Sequence, residues 1–440
     1  MQTASLTSHL AAWKWWIIAA LVIGTLWATD RLRNGDSLPE QIAWEDSPFS
    51  GSGPPRTYSE AMARSKLAVA NAGAAAKAKP GEWLMHEIHA SELMARAQLS
   101  GSYQDYAAAG AALDSAFGVA VKGSGPHLMR AAFDFSMHRL AGAEAQLAAT
   151  DRYAVPPDPG DRAEITAIRG DIAFYRGDYD AAWALYDQAD ALVPGSALFR
   201  RAIFAARTGD VDGADAYFAQ AERAYRSPTP QTRSYMALQR GILDLDRGRL
   251  DDAMVHFREA DRLFPGRWLI EEHIAEVLNL QGKTGAAEKL YRAIVKRTGH
   301  PEFIDALAAI AEARGDKAEA ARLYARSSAI WEKRLKLFPE ATYGHAIDHC
   351  TVRQDWPCAL RLAEANHRAR PFGEAKIKLA AALLANGRTD AARAMIEQVL
   401  ASRWRTPDLH STAADIYQAA GLTQKAAEQR KRAKALNPLS

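Results

Sequence analysis

Between Ala163 and the C-terminus, apolar residues fall at helical spacing in short runs, and glycines and prolines interrupt the runs at regular intervals. The stretch from Ala163 to Gly195 sets the pattern. Apolar positions surround a small residue, Gly170, and the chain then turns at Arg176-Gly177. A second helical run places Ala182, Tyr186 and Ala189 on one face and ends at Pro194. The stretch from Ser234 to Gly266 repeats this with Gly241, Gly248, Ala253, Phe257, Ala260 and Pro265. The pattern therefore predicts pairs of antiparallel helices recurring about every 34 residues, a period at which no unit can bury its apolar face without stacking on a neighbour.

Units of this kind start near Ala163, Gly195, Ser234, Trp268, Pro301, Glu340, Gly373 and Pro407, with internal turns at Gly177, Gly209, Gly248, Gly282, Gly315, Gln354, Gly387 and Gly421. Each second helix opens on alanine (182, 214, 253, 287, 320, 359, 392 and 426), small enough for close helix approach. Upstream, residues 60–155 read as an Ala-rich helix followed by two degenerate helix pairs, Trp83–Leu99 with Tyr103–Val119 and His127–Met137 with Ala141–Thr150. Val155-Pro156-Pro157-Asp158-Pro159-Gly160 separates them from the regular array of 163–440.

The N-terminus follows a different pattern. After a tail of residues 1–12, the segment 13–29 is apolar apart from Lys14 and is flanked by tryptophans at both ends. It is expected to form a single transmembrane anchor. A cleaved signal peptide is the rival reading, but Leu26-Trp27-Ala28-Thr29-Asp30 offers no small-x-small site. Residues 30–59, with Pro39, Pro48, Pro54 and Pro55, read as a flexible linker. Flanking charges nearly tie; the short tail favours an N-in arrangement, with the repeats outside the cytoplasm at the inner membrane, in a periplasm-like space.

Composition adds exclusions. Hydrophobic content of 48% suits a continuous core, and the net charge of +3, from 55 basic and 52 acidic residues, gives no lopsided field for nucleic acid. The sequence contains no P-loop, dinucleotide fingerprint, HExxH or GxSxG, so no enzyme, cofactor or small-molecule substrate is expected. The only cysteines, Cys350 and Cys358, flank the turn Gln354-Asp355-Trp356-Pro357, where a helical hairpin would bring them together as a disulfide. That bond would imply an oxidising compartment; two small buried thiols are the alternative. His345 with His349, and His86 with His89, have helical metal-ligand spacing, but two ligands do not make a site, and no metal is expected.

The chain resembles the tetratricopeptide repeat superfamily, strongly over the array and weakly over the preceding pairs. The resemblance implies an all-α, α-α superhelix whose first helices line a concave, protein-binding groove. Ile347 in place of a small residue, Arg430 in place of an aromatic and the missing early tryptophans depart from the family pattern. Groove-lining candidates are Glu164, Asp171, Arg200 and Arg207, then Glu272, His273, Glu276 and Asn279, then Glu302, Asp305 and Glu312, then His345 and Asp348. The Lys-and-Asn clamp with which part of the family grips carboxylates has no counterpart here. The acidic central stretch points instead to a basic or polar peptide partner. The expectation is a membrane-tethered scaffold for a protein or peptide. The alternatives are a cytoplasm-facing assembly or biogenesis accessory factor and a metal-handling protein or enzyme built on the histidine clusters.

Overall fold

The computed structural model describes residues 53–224 and 229–440, in which 21 helices and no strand occur. A lone helix α1 (Tyr58–Ala78) precedes ten helix pairs: α2 (Trp83–Ser100) with α3 (Tyr103–Val119), α4 (His127–Ser136) with α5 (Leu140–Thr150), α6 (Pro159–Tyr175) with α7 (Tyr179–Leu192), α8 (Leu198–Thr208) with α9 (Val211–Ala224), α10 (Pro230–Asp246) with α11 (Leu250–Leu263), α12 (Trp268–Leu280) with α13 (Thr284–Thr298), α14 (Pro301–Ala313) with α15 (Lys317–Leu337), α16 (Pro339–Val352) with α17 (Trp356–Ala369), α18 (Gly373–Ala385) with α19 (Thr389–Ala401), and α20 (Pro407–Ala419) with α21 (Thr423–Leu436). The predicted anchor at 13–29, the tail before it and residues 30–52 of the linker lie outside the described residues. Among the described residues no helix is long and apolar enough to cross a membrane. Two boundaries shift from the expected ones. The first helix already starts at Tyr58, because Thr57 caps it by accepting from the Glu60 N–H at 3.1 Å. The array opens at Pro159, because Asp158 accepts from the N–H groups of Gly160 and Asp161.

Within a unit the small and aromatic positions fit each other. A methyl group built on Gly170 would lie 2.6 Å from the Tyr186 ring, and one on Gly241 would lie 2.5 Å from Phe257. Glycine in the first helix is therefore the seat of the aromatic in the second, and Ala182, Ala189, Ala253 and Ala260 are fully buried beside those rings. The predicted turn glycines are left-handed, with φ between +72° and +85° from Gly177 to Gly421. Two turns lack glycine, and there His138 (φ 58°) and Gln354 (φ 56°) are forced into the same region. Gln354→Gly is expected to raise stability by about 0.5–1 kcal/mol, because relief of left-handed strain outweighs the added freedom of the unfolded chain. A rise in the urea midpoint with an unchanged denaturant slope would show it; an unchanged or lower midpoint would refute it.

The superhelix is tight. Each internal turn from α2–α3 to α10–α11 touches the loop that closes the unit five places further on. The carbonyl of Ser100 accepts from His300 Nε2 at 2.9 Å. Phe133 and the Arg139 guanidinium pack on Phe338, and Tyr179 Oη accepts from the Gly373 N–H at 2.8 Å. The Arg207 carbonyl accepts from the Arg405 N–H at 2.8 Å, and the Asp246 carbonyl from Asn437 Nδ2 at 3.0 Å. Helix α1 joins the same series through Tyr58 N–H and the Pro265 carbonyl, 3.0 Å apart. Successive turns of the superhelix are thus in contact, and the largest apolar cluster spans both, from Ala131 to Phe204 and from Trp331 to Ala426.

Candidate functional site

Stacking the first helices α2, α4 and α6 leaves a cleft of about 700 Å³, within the usual range for ligand sites. Helix α4 has 10 residues, against 18 in α2 and 17 in α6, and lines the cleft with Leu128, Met129 and Ala132. The inter-unit loops around 123–125 and 153–158 rim the opening. Tyr153 holds the two rims together: its hydroxyl donates to the Gly125 carbonyl at 2.8 Å and accepts from the His127 N–H at 3.0 Å. Leu84, Ile88, Leu128, Met129, Ile165 and Ile168 make the walls apolar, and at the mouth Leu84 and Val155 are 45% and 78% exposed.

Among the described residues, every charged residue lining this cleft is acidic: Glu87, Asp158, Asp161 and Glu164. Asp158 is engaged as the cap of α6, and Glu164 pairs with Arg200 at 2.8 Å. Glu87 is half-buried between apolar walls and has no ion-pair or hydrogen-bond partner among the described residues. Burial, with Asp161 nearby, pushes its carboxyl up to about 7. A pKa raised on folding favours the native state at low pH, and the benefit disappears as pH rises through 7. Glu87→Gln should therefore melt above wild type at alkaline pH, with the gap closing as pH falls below the ordinary carboxylate range. Parallel melting curves across that range would contradict this.

Most of the groove residues expected from the sequence are used inside the molecule. Arg200, Arg207, Glu272, His273, Glu276, Glu302, Asp305 and His345 are buried. Asn279 and Asp348 are half-buried, and Glu312 is exposed. Several of these groups pair with one another. Arg200 bridges Asp171 and Glu164, each at 2.8 Å. Lys378 pairs with Asp348 at 2.7 Å. Burial alone would raise the Glu302 carboxyl, but the Arg334 guanidinium at 2.7 Å, with His300 and His345 nearby, outweighs it and holds the group well below the usual carboxylate range. His345 is pushed down to about 4, chiefly by burial.

Two clusters have donor sets familiar from catalysis or metal binding. His273 lies between Glu272 and Glu276: its Nδ1 hydrogen-bonds the Glu276 carboxylate at 3.3 Å, its Nε2 is 3.1 Å from the Glu272 carboxylate, and the three ligand-type atoms lie within 4.8 Å of one another. In the second cluster, Ser328 Oγ is 2.8 Å from His349 Nε2, and His349 Nδ1 donates to Asp305 at 2.9 Å. That is the order of a hydrolase relay, but Ser328 is mid-helix in α15 and also bonds the Tyr324 carbonyl at 2.7 Å. The backbone N–H groups around it belong to the helix ladder, leaving none to form an oxyanion hole. His86 Nε2 contacts the Pro80 carbonyl at 3.0 Å, and His89 packs over Gly73, so the two histidines are committed to different neighbours. Cys350 and Cys358 are bonded across the α16–α17 hairpin, with Cα atoms 5.8 Å apart.

The cleft is not legible in the repeat pattern because it falls where the degenerate pairs meet the regular array. The available signal was the proline-rich break at 155–160.

No family model matches the chain, and no curated protein matches its sequence. Among solved structures, one similar to it is a tetratricopeptide repeat protein from Parabacteroides merdae ATCC 43184. The identity is 18% and the TM-score 0.33, over 55% of this chain and 93% of that one. Another is yeast Tom70, 16% identical with a TM-score of 0.41, over 85% of this chain and 88% of that one. At these scores neither likeness carries a functional argument. The tetratricopeptide-like fold rests on the chain's own turns, pairing and packing.

Proposed function

We propose that this chain is a protein-interaction scaffold whose N-terminal cleft receives a segment of a partner protein, and that residues 13–29 tether it to the inner membrane with the repeats on the outer side. The carrying observation is the cleft itself, apolar in its walls, acid-rimmed and exposed at Leu84 and Val155. The apolar segment led by Lys14 supports the tether, and the Cys350–Cys358 bond supports an oxidising location.

A photoreactive amino acid at position 84, activated in intact cells, should capture a partner that Ala132→Trp, which fills the cleft, releases. Capture that is indifferent to Ala132→Trp would remove the cleft from the reading. The tether predicts retention in membranes after alkaline washing and release on deletion of residues 1–30. Non-reducing peptide mapping should recover Cys350 linked to Cys358; two free thiols would shift the location to the cytoplasmic side.

A further inference from the structure

We infer that the segment bound in the α2–α4–α6 cleft is an apolar stretch carrying a lysine or arginine, whose cation pairs with the Glu87 carboxylate. The inference rests on the cleft being the partner site and adds the chemistry of the partner. Three observations support it. Among the described residues the cleft's charged lining residues are all acidic, so an anionic segment is repelled there. Glu87 lines the cleft with Leu84, Ile88 and Leu128 and has no hydrogen-bond or ion-pair partner among the described residues, whereas Asp158 caps α6 and Glu164 pairs with Arg200. The mouth is apolar at Leu84 and Val155, so the cation must arrive on an apolar carrier to bury both surfaces at once.

Lysine and arginine suit this geometry because their methylene stems can lie along the apolar wall while the charged head reaches the carboxylate. A half-buried, charge-assisted pair of this kind should favour a cationic over a neutral side chain by about tenfold in affinity. The groups facing Glu87 from the neighbouring elements are Asp161 on α6 and Tyr153 in the rim loop, with Asp158 and Glu164 beyond them. None supplies a positive charge that would compete with the incoming cation.

The test is selection of a random-peptide display library against the full chain in detergent. Wild-type protein should enrich apolar peptides with a central lysine or arginine, and Glu87→Gln should enrich apolar peptides without that preference. The cationic advantage should shrink severalfold from about pH 8 to about pH 5.5, as Glu87 takes up its proton. Enriched peptides that Ala132→Trp displaces but that carry no excess of lysine or arginine would overturn the inference and leave the cleft reading standing. No enrichment relative to Ala132→Trp, with that variant's helical circular dichroism unchanged, would overturn both. The chain's own segment 13–29 is apolar and headed by Lys14. Enrichment seen only after removal of residues 1–52 would identify that segment as the occupant and defeat the proposal of a partner.

Discussion

Trp404→Ala is expected to cost ~3–5 kcal/mol, the range for deleting a large buried aromatic, and to loosen two stretches of chain far apart in sequence. Trp404 is 1% exposed and packs against Phe174, Tyr179 and Phe372, with ring centroids 5.8–6.0 Å away. The Arg207 guanidinium sits 5.5 Å from its ring, and Gly373 is the only kind of residue that fits beneath it, since an added methyl would lie 2.2 Å from the indole. Trp404 therefore belongs to the contact between successive superhelical turns as much as to its own unit. In an open solenoid a lesion spreads only to sequence neighbours. Here hydrogen exchange should quicken in α6–α8 together with α18–α20. Faster exchange confined to α18–α20, or a loss below about 1 kcal/mol in urea unfolding, would mean that the turn-to-turn contact contributes little.

Asp305→Ala should destabilise the chain by a similar ~3–5 kcal/mol, through unsatisfied polar groups rather than a cavity. The Asp305 carboxylate accepts from Trp331 Nε1 and His349 Nδ1, each at 2.9 Å, and from the Ser327 hydroxyl. All of these groups are buried, so removing the acceptor strands the Trp331 and His349 donors, while Ser327 keeps the Tyr324 carbonyl at 3.1 Å. Asp305→Asn keeps the shape and one acceptor oxygen and should cost less, roughly 1–3 kcal/mol. The near-ultraviolet signal of Trp331 should change in the alanine variant. Equal stability of the alanine variant and wild type would show that the network is not structural, and would revive a functional role for the Ser328–His349–Asp305 chain.

Residues expected to form the binding surface mostly proved to be internal fasteners, and the physical reason is pitch. Glu272, His273 and Glu302 fall on first helices, and first helices do face inward. Whether inward means groove or core depends on how many units complete a turn. That number is set by small rotations between neighbouring pairs, summed over five units, and each rotation reflects packing that no short window of sequence contains. Ion pairs such as Arg200 with Asp171 and Lys378 with Asp348 join adjacent first helices and are equally compatible with an open or a closed spiral. The closing contacts, such as Ser100 with His300, involve turn residues that read in sequence as punctuation alone.

What this sequence determined by itself was local. Helix pairing follows from left-handed glycines at Gly177, Gly209 and their successors, and from Gly170 and Gly241 facing Tyr186 and Phe257. The juxtaposition of Cys350 and Cys358 follows from a helical turn that separates them by only eight positions. These are contacts between neighbours along the chain, for which backbone conformation and side-chain size suffice. Only the tertiary structure decided that successive turns touch and that central charges are buried in pairs. It also decided that the accessible cleft lies between α2, α4 and α6, where the irregular pairs meet the regular array. Volume left unfilled is a property of three helices at once, and the pattern of any one of them does not contain it.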